Sequence, residues 1–187
     1  MPLGAPREVR EPGGRAAVLP DVLTGSRFVL GPLFAATFPV SPGLALAIAA
    51  LAAATDFVDG RLARALGVGS RRGAALDVSA DAAFVLIGLG VLARAGVLSV
   101  ALPVAAAISL AALAREWRRP PGGLAATRDR PDRVGHAAGI LNYGAVLAGA
   151  GVAAFDVPVP LHAASLGVAL LNLLPILLRR RPVRAPG

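Results

Sequence analysis

Cysteine and lysine are both missing from the 187 residues of the chain. The first absence excludes disulfides, zinc–thiolate sites and thiol nucleophiles together. The second leaves every basic side chain as arginine, nineteen in all, with a charge that physiological pH does not remove. Aromatic residues are scarce, at 4% with one tryptophan and one tyrosine. Charged residues make up only 16%, against about 25% in a soluble domain. Alanine, leucine and valine fill the space and bring the hydrophobic share to 56%. The formal net charge of +8 does not mark a nucleic-acid binder, because the arginines punctuate long uncharged stretches and form no single basic face. A membrane protein fits this pattern better.

A helix needs about 20 mostly apolar residues to cross a bilayer core. No charge lies between Arg27 and Asp56, and FPVSPG at 38–43 divides that stretch. The pattern predicts an all-α, polytopic fold of six transmembrane helices over 20–38, 43–65, 73–94, 97–117, 134–154 and 158–178. Prolines in FDVPVP separate the last two. An even number of spans puts both termini on one side, and 18 of the 19 arginines then share that side, with only Arg94 opposite. Cytoplasmic loops carry the arginine excess, so a multi-pass protein of the cytoplasmic membrane with both termini inside is expected. The alternative is a soluble helical bundle, of which one-sided arginines between uncharged stretches are not the signature. The expected organisation is an N-terminal cytoplasmic segment (1–15), interfacial or disordered, a six-helix domain (16–180) and a basic cytoplasmic tail (181–187). The opening MPLGAPREVREPGGR is polar, with no cleavage-like site behind it, and is not read as a secretory leader.

Four aspartates nevertheless gather between residues 56 and 81. An ionisable group inside a span costs at least about 2.5–3.5 kcal/mol on insertion scales and by default marks a function. Asp56 and Asp59 are three apart at the end of the second predicted helix, and Asp77 and Asp81 four apart near the start of the third. Both spacings place a pair on one helical face. Gly73 extends the second face, and Gly60 and Ala63 lie beside the first pair, small residues that admit a close neighbour or ligand. The short turn between these helices makes them expected antiparallel neighbours whose carboxylates meet. Converging carboxylates repel unless neutralised; a hard divalent cation with oxygen ligands does this, and neither histidine nor cysteine is present there to suggest zinc. Magnesium or manganese follows. The alternative is a structural salt-bridge cluster with Arg61, Arg64, Arg71 and Arg72.

Written out, residues 56–81 are D-x2-D-G-x2-A-R-x8-G-x3-D-x3-D. This resembles the signature of the CDP-alcohol phosphatidyltransferase family, membrane enzymes of phospholipid synthesis, with every fixed position filled across 26 residues. The family's six-helix architecture agrees with the predicted spans. The resemblance implies transfer of the substituted phosphate of a CDP-linked lipid, CDP-diacylglycerol foremost, to a small alcohol acceptor with release of CMP. It implies two divalent ions, magnesium or manganese, on Asp56, Asp59, Asp77 and Asp81, with Asp81 also the general base toward the acceptor hydroxyl. It assigns Asp59, Gly60, Ala63, Arg64 and Gly73 to the CDP-lipid, joined by Ser70 in the following turn. LPDVLTGSR at 19–27 resembles the family's P-N-x-x-T-x-x-R element. Pro20, Thr24 and Arg27 match, and Asp21 replaces the usual asparagine. Asp21 and Thr24 thereby join the expected nucleotide contacts; Asp still caps a helix, but a contact needing the amide N–H of asparagine is lost. A homodimer is expected from the family alone.

The acceptor is less legible. AREWRRPPGGLAATRDRPDR at 114–133 supplies arginines suited to phosphate oxygens, so Arg27, Arg115, Arg130 and Arg133 are the expected acceptor-binding residues. Arg115-Glu116 resembles the pair that follows the fourth helix in the glycerophosphate-using branch, which makes glycerol 3-phosphate the leading acceptor. DRVGHAAG lacks that branch's G-K-x-K-T element, and RDRPDR resembles the E-R-x-E-R of the inositol-phosphate branch with aspartates for glutamates. Inositol phosphate or another alcohol therefore stays open, as does anchoring of these arginines to anionic headgroups. A divalent-cation transporter would use the same acidic cluster but needs acidic groups continued across the membrane, and the distal halves of the spans have none. His136 and His162 have no ligand partner at helical spacing, and Asn142 and Asn172 suit interhelical hydrogen bonding.

Overall fold

The computed structural model describes residues 14–66, 71–117 and 133–179, with side chains described over 24–58, 61, 76–115 and 137–177. The expected tail and most of the expected N-terminal segment lie outside these residues. Within them the chain forms α1 (Gly14–Thr37), α2 (Pro42–Leu66), α3 (Arg71–Arg94), α4 (Ala101–Trp117), α5 (Arg133–Phe155) and α6 (Leu161–Arg179). Each corresponds to one expected helix, and the differences lie at the ends. α1 begins six residues before the expected start at 20; Pro20 falls in its second turn, where it removes one backbone donor close to the helix end rather than in mid-length.

Local chemistry sets the other ends. The hydroxyl of Ser41 accepts the Leu44 N–H (3.4 Å) with Pro42 in the first helical position, an N-cap followed by the residue whose missing N–H is least needed. α3 stops in a Schellman turn: Val97 N–H reaches Leu92 O (3.0 Å), Gly96 N–H reaches Ala93 O (3.1 Å), and Gly96 adopts φ +76°. That closure occupies the residues expected to start the fourth helix at 97. Ser99 then caps α4, its hydroxyl accepting the Ala101 N–H (3.3 Å) while its own N–H donates to the Ser165 hydroxyl (2.9 Å). Asp156 closes α5 at φ 52°, a left-handed position more often given to glycine, with Val157 N–H on Val152 O (3.2 Å). Pro158 and Pro160 follow and delay α6 to Leu161.

α1 packs against α2 and α3; α3 also meets α4 and α5; α5 meets α2 and α6; α4 meets α6. The interior is unusual in being built largely from alanine. Ala45, Ala49, Ala52, Ala105, Ala106 and Ala150 are buried, whereas Leu51, Ile140, Phe155 and Leu170 are exposed, the last two at 73% and 70%. Small residues inside and large apolar ones outside is the pattern of helices that associate by close approach in lipid. On α3 and α5 the approach is reciprocal. A Cβ on Gly88 would stand 2.9 Å from a Val146 methyl, and one on Gly149 would stand 2.8 Å from a Leu92 methyl. Phe34, Phe38 and Phe84 fill the larger gaps; Phe84 meets Phe34 edge-on at 6.1 Å and stacks on Tyr143 at 5.4 Å.

Two of the helices among the described residues are long and apolar enough to cross a membrane by themselves, at Leu76–Arg94 and Ala137–Phe155. Pro42–Val58, Ala101–Arg115 and Leu161–Leu177 are shorter apolar helical stretches. Between α5 and α6, Asn142 and Asn172 exchange amide hydrogen bonds of 2.9 and 2.8 Å, and Asn172 gives its other N–H to Val168 O. Replacing either asparagine by leucine leaves a buried amide without its partner. Each single change is expected to lower stability by about 1 kcal/mol and the double change by less than their sum. A double-mutant cycle of thermal unfolding in phospholipid nanodiscs checks this; strictly additive losses would mean the two amides act independently.

Candidate active site

The buried face of α1 runs Thr24, Arg27, Gly31 and Phe34, and Phe38 continues it in the turn just past the helix, a stripe of spacings three and four that is apolar except at its start. Arg27 is in the middle of the bundle and its side chain is 0% exposed. A guanidinium cannot shed its proton to suit such a place, so it has to be paired, and three described carboxylates pair with it. Nη2 lies 3.3 Å from Oδ1 of Asp56 and 3.2 Å from Oδ1 of Asp77, and Nη1 donates to Oδ1 of Asp81. Asp56 comes from the second half of α2, and Asp77 and Asp81 from the first half of α3, one turn apart on one face.

The sequence expectation that α2 and α3 would meet directly is modified here. Among the described residues both helices pack on α1, and no comparably extensive contact joins them to each other. α1 is the wedge, and Arg27 is where the three helices share charge. The signal was present in the sequence: an arginine inside an otherwise apolar i, i+3, i+4 face. Of the arginines in the alternative salt-bridge cluster, only Arg61 has a described side chain. The Arg61 guanidinium stands over the Phe57 ring at 5.0 Å, a cation–π contact. The side chains of Arg64, Arg71 and Arg72 lie outside the described residues.

One carboxylate oxygen from each of Asp56, Asp77 and Asp81 lies within 4.8 Å of the other two. Their side chains are 46%, 45% and 34% exposed above a guanidinium that is fully covered, so the carboxylates form the open rim and the arginine the floor. Three negative charges against one positive leave two formally unbalanced among the described residues. Oδ1 of Asp77 is in addition buried and accepts no hydrogen bond among the described residues, its contact with Arg27 being ionic only. An all-oxygen set with excess negative charge and an unsatisfied buried oxygen fits a hard divalent cation. Tyr143, whose ring stacks on the Phe84 that follows Asp81 by one turn, has a buried hydroxyl with no hydrogen-bond partner. Sequence reasoning assigned it no part.

The remaining expected site residues divide as follows. Thr24 is buried one turn before Arg27. Arg27 itself, grouped by sequence with the acceptor arginines, is brought into the carboxylate cluster. Arg115 is exposed in the last turn of α4. Ser70 and Arg130 lie outside the described residues, as do the side chains of Asp21, Asp59, Ala63, Arg64 and Arg133 and the surroundings of Gly60 and Gly73. His162 sits in the first turn of α6, where its carbonyl accepts the Ser165 hydroxyl (2.7 Å), a helix-end residue as expected.

No curated protein matches the chain. The family model for CDP-alcohol phosphatidyltransferase matches residues 17–174, a stretch that contains every helix of the triad and all of α1–α5 from residue 17 onward. Members of that family are membrane proteins and typically depend on divalent metal. By this match the chain belongs to the CDP-alcohol phosphatidyltransferase family, enzymes that transfer phosphate-containing groups from a CDP-alcohol in phospholipid headgroup chemistry.

Proposed function

We propose that the chain is a six-span enzyme of the cytoplasmic membrane that transfers the phosphatidyl group of CDP-diacylglycerol to a small alcohol, glycerol 3-phosphate foremost, and releases CMP. The observation that carries this reading is the convergence of Asp56, Asp77 and Asp81, within 4.8 Å and partly exposed, inside the family-matched region. Asp56, Asp77 and Asp81, with Asp59, would hold two divalent ions, magnesium or manganese. Bound there, such ions supply Lewis-acid stabilisation of the diphosphate and of the departing CMP.

The chain's own residues account for the rest. The Asp81 carboxylate takes the proton of the acceptor hydroxyl as its oxygen forms the new bond to phosphorus, and the bond from phosphorus to the CMP oxygen breaks. Gly60, Ala63, Arg64, Ser70 and Gly73 belong to the nucleotide side of the site, with Asp21 and Thr24 on α1. Arg115, Arg130 and Arg133 are the acceptor-side cations. Placement of 18 of the 19 arginines on one face of the membrane supports cytoplasmic termini and a site at the level of the inner leaflet. A lipid donor needs this compromise, since its acyl chains stay in the bilayer while its nucleotide stays in water. The dimer typical of the family is the proposed assembly.

Purified protein in nanodiscs, given CDP-diacylglycerol, magnesium and a panel of alcohols, is expected to release CMP fastest with glycerol 3-phosphate. A chelator should remove all release above background, and added magnesium or manganese should restore it. Release driven best by inositol phosphate would reassign the acceptor. Metal flux into liposomes without any CMP would favour a transporter instead.

A further inference from the structure

Arg27 is the one charged residue fully buried among the described residues, and the reaction as proposed gives it no step. Its two Nη atoms engage all three carboxylates of the triad. These are the same three side chains whose oxygens lie within 4.8 Å of one another. A divalent cation entering that space meets carboxylates already ion-paired with the guanidinium, Asp81 by a hydrogen bond as well, and meets a like charge at short range that cannot be neutralised by proton loss. The planar fork of arginine is what allows one side chain to span three acceptors from two helices.

We propose that Arg27 is a resident counterion of the triad and that divalent metal binds by exchange with it: the guanidinium holds the carboxylates together in the metal-free protein and gives them up as the metal enters. The proposal rests on the reading of the triad as the metal site. It assigns Arg27 a positioning role with two opposed consequences. It stabilises the metal-free bundle, because without it three carboxylates from α2 and α3 face one another with no compensating charge among the described residues. It also weakens metal binding, because the ion has to compete with a cation already in place.

The test compares wild type, Arg27→Gln and Arg27→Lys in phosphatidylcholine nanodiscs, titrated with Mn2+ alone, with free Mn2+ followed by electron paramagnetic resonance and unfolding followed thermally. Arg27→Gln is expected to bind Mn2+ about tenfold more tightly or better, the scale on which loss of one neighbouring charge moves an ionic equilibrium. Arg27→Lys keeps the charge but not the fork, and its Mn2+ affinity should fall between those of wild type and Arg27→Gln. Mn2+ should raise the unfolding temperature of Arg27→Gln more than that of wild type. A Gln variant that is folded with Mn2+ and unfolds when it is removed, where wild type survives, supports exchange equally. Binding to Arg27→Gln that equals or falls below wild type overturns it, as does a Gln variant unfolded under both conditions. If wild type binds Mn2+ no better than Asp77→Asn, the metal reading of the triad fails and the exchange proposal with it; if wild type binds well and Arg27→Gln binds no better, only the exchange is lost.

Discussion

Asp81→Asn is expected to reduce CMP release by at least about 100-fold, the lower range of what a positioned proton acceptor contributes. Asparagine copies the shape of aspartate and keeps one oxygen toward Arg27, but it cannot take a proton from the acceptor hydroxyl. Asp81 is the least exposed of the three carboxylates, at 34% against 46% and 45%, and the deepest along α3. A base is effective where water does not compete for it. Asp56 and Asp77 remain to balance the buried guanidinium, so the variant should still insert and unfold cooperatively. The measurement pairs turnover with a thermal transition in nanodiscs: a normal transition with lost turnover fits the assignment, while retained turnover removes Asp81 from the role of base.

The largest loss of stability is expected from Phe84→Ala. Phe84 is 0% exposed and is the ring through which α1, α3 and α5 meet, edge-on to Phe34 and stacked on Tyr143. Alanine there removes both ring contacts and leaves a cavity that the alanine-rich surroundings are too short to fill. Truncations of this kind cost about 3–5 kcal/mol, a large part of the roughly 5–15 kcal/mol that holds an ordinary domain together. Position 84 lies one turn beyond Asp81 on the same helical face, so the carboxylate should loosen with it and turnover should fall even below the unfolding temperature. Leu51→Ala is the control, since Leu51 is 53% exposed and its truncation removes little packing. Equal unfolding temperatures for the two variants would show that the aromatic cluster is not what joins the three helices.

The helices were legible because charge is so rare here that every uncharged run stands out. Their ends were less so. The uncharged run starts the fourth helix at 97, whereas the structure starts it at Ala101 because Gly96 and Val97 are spent on closing α3. Spacing alone put Asp77 and Asp81 on one face, and α3 bears this out. Arg27 was harder. Hydropathy treats it as the edge of a span, whereas its register with Thr24, Gly31 and Phe34 puts it inside the bundle. A partner 54 residues away leaves no local trace. The contacts of Gly88 with Val146 and of Gly149 with Leu92 were equally hidden, since a glycine in a helix reads the same whether it faces lipid or a neighbour.

The order in which the chain is made gives the buried arginine one more consequence. α1 leaves the ribosome before α2 and α3, carrying a permanent charge whose acceptors have not yet been synthesised. In the proposed six-span arrangement an arginine within α1 makes insertion unfavourable by up to about 2.5–3.5 kcal/mol, a cost relieved in steps as Asp56 and then Asp77 and Asp81 arrive to receive it. Maturation is thereby tied most closely to the third helix, which brings two of the three carboxylates: a nascent chain halted before α3 should hold α1 less firmly than the full chain and leave it more open to quality-control proteases.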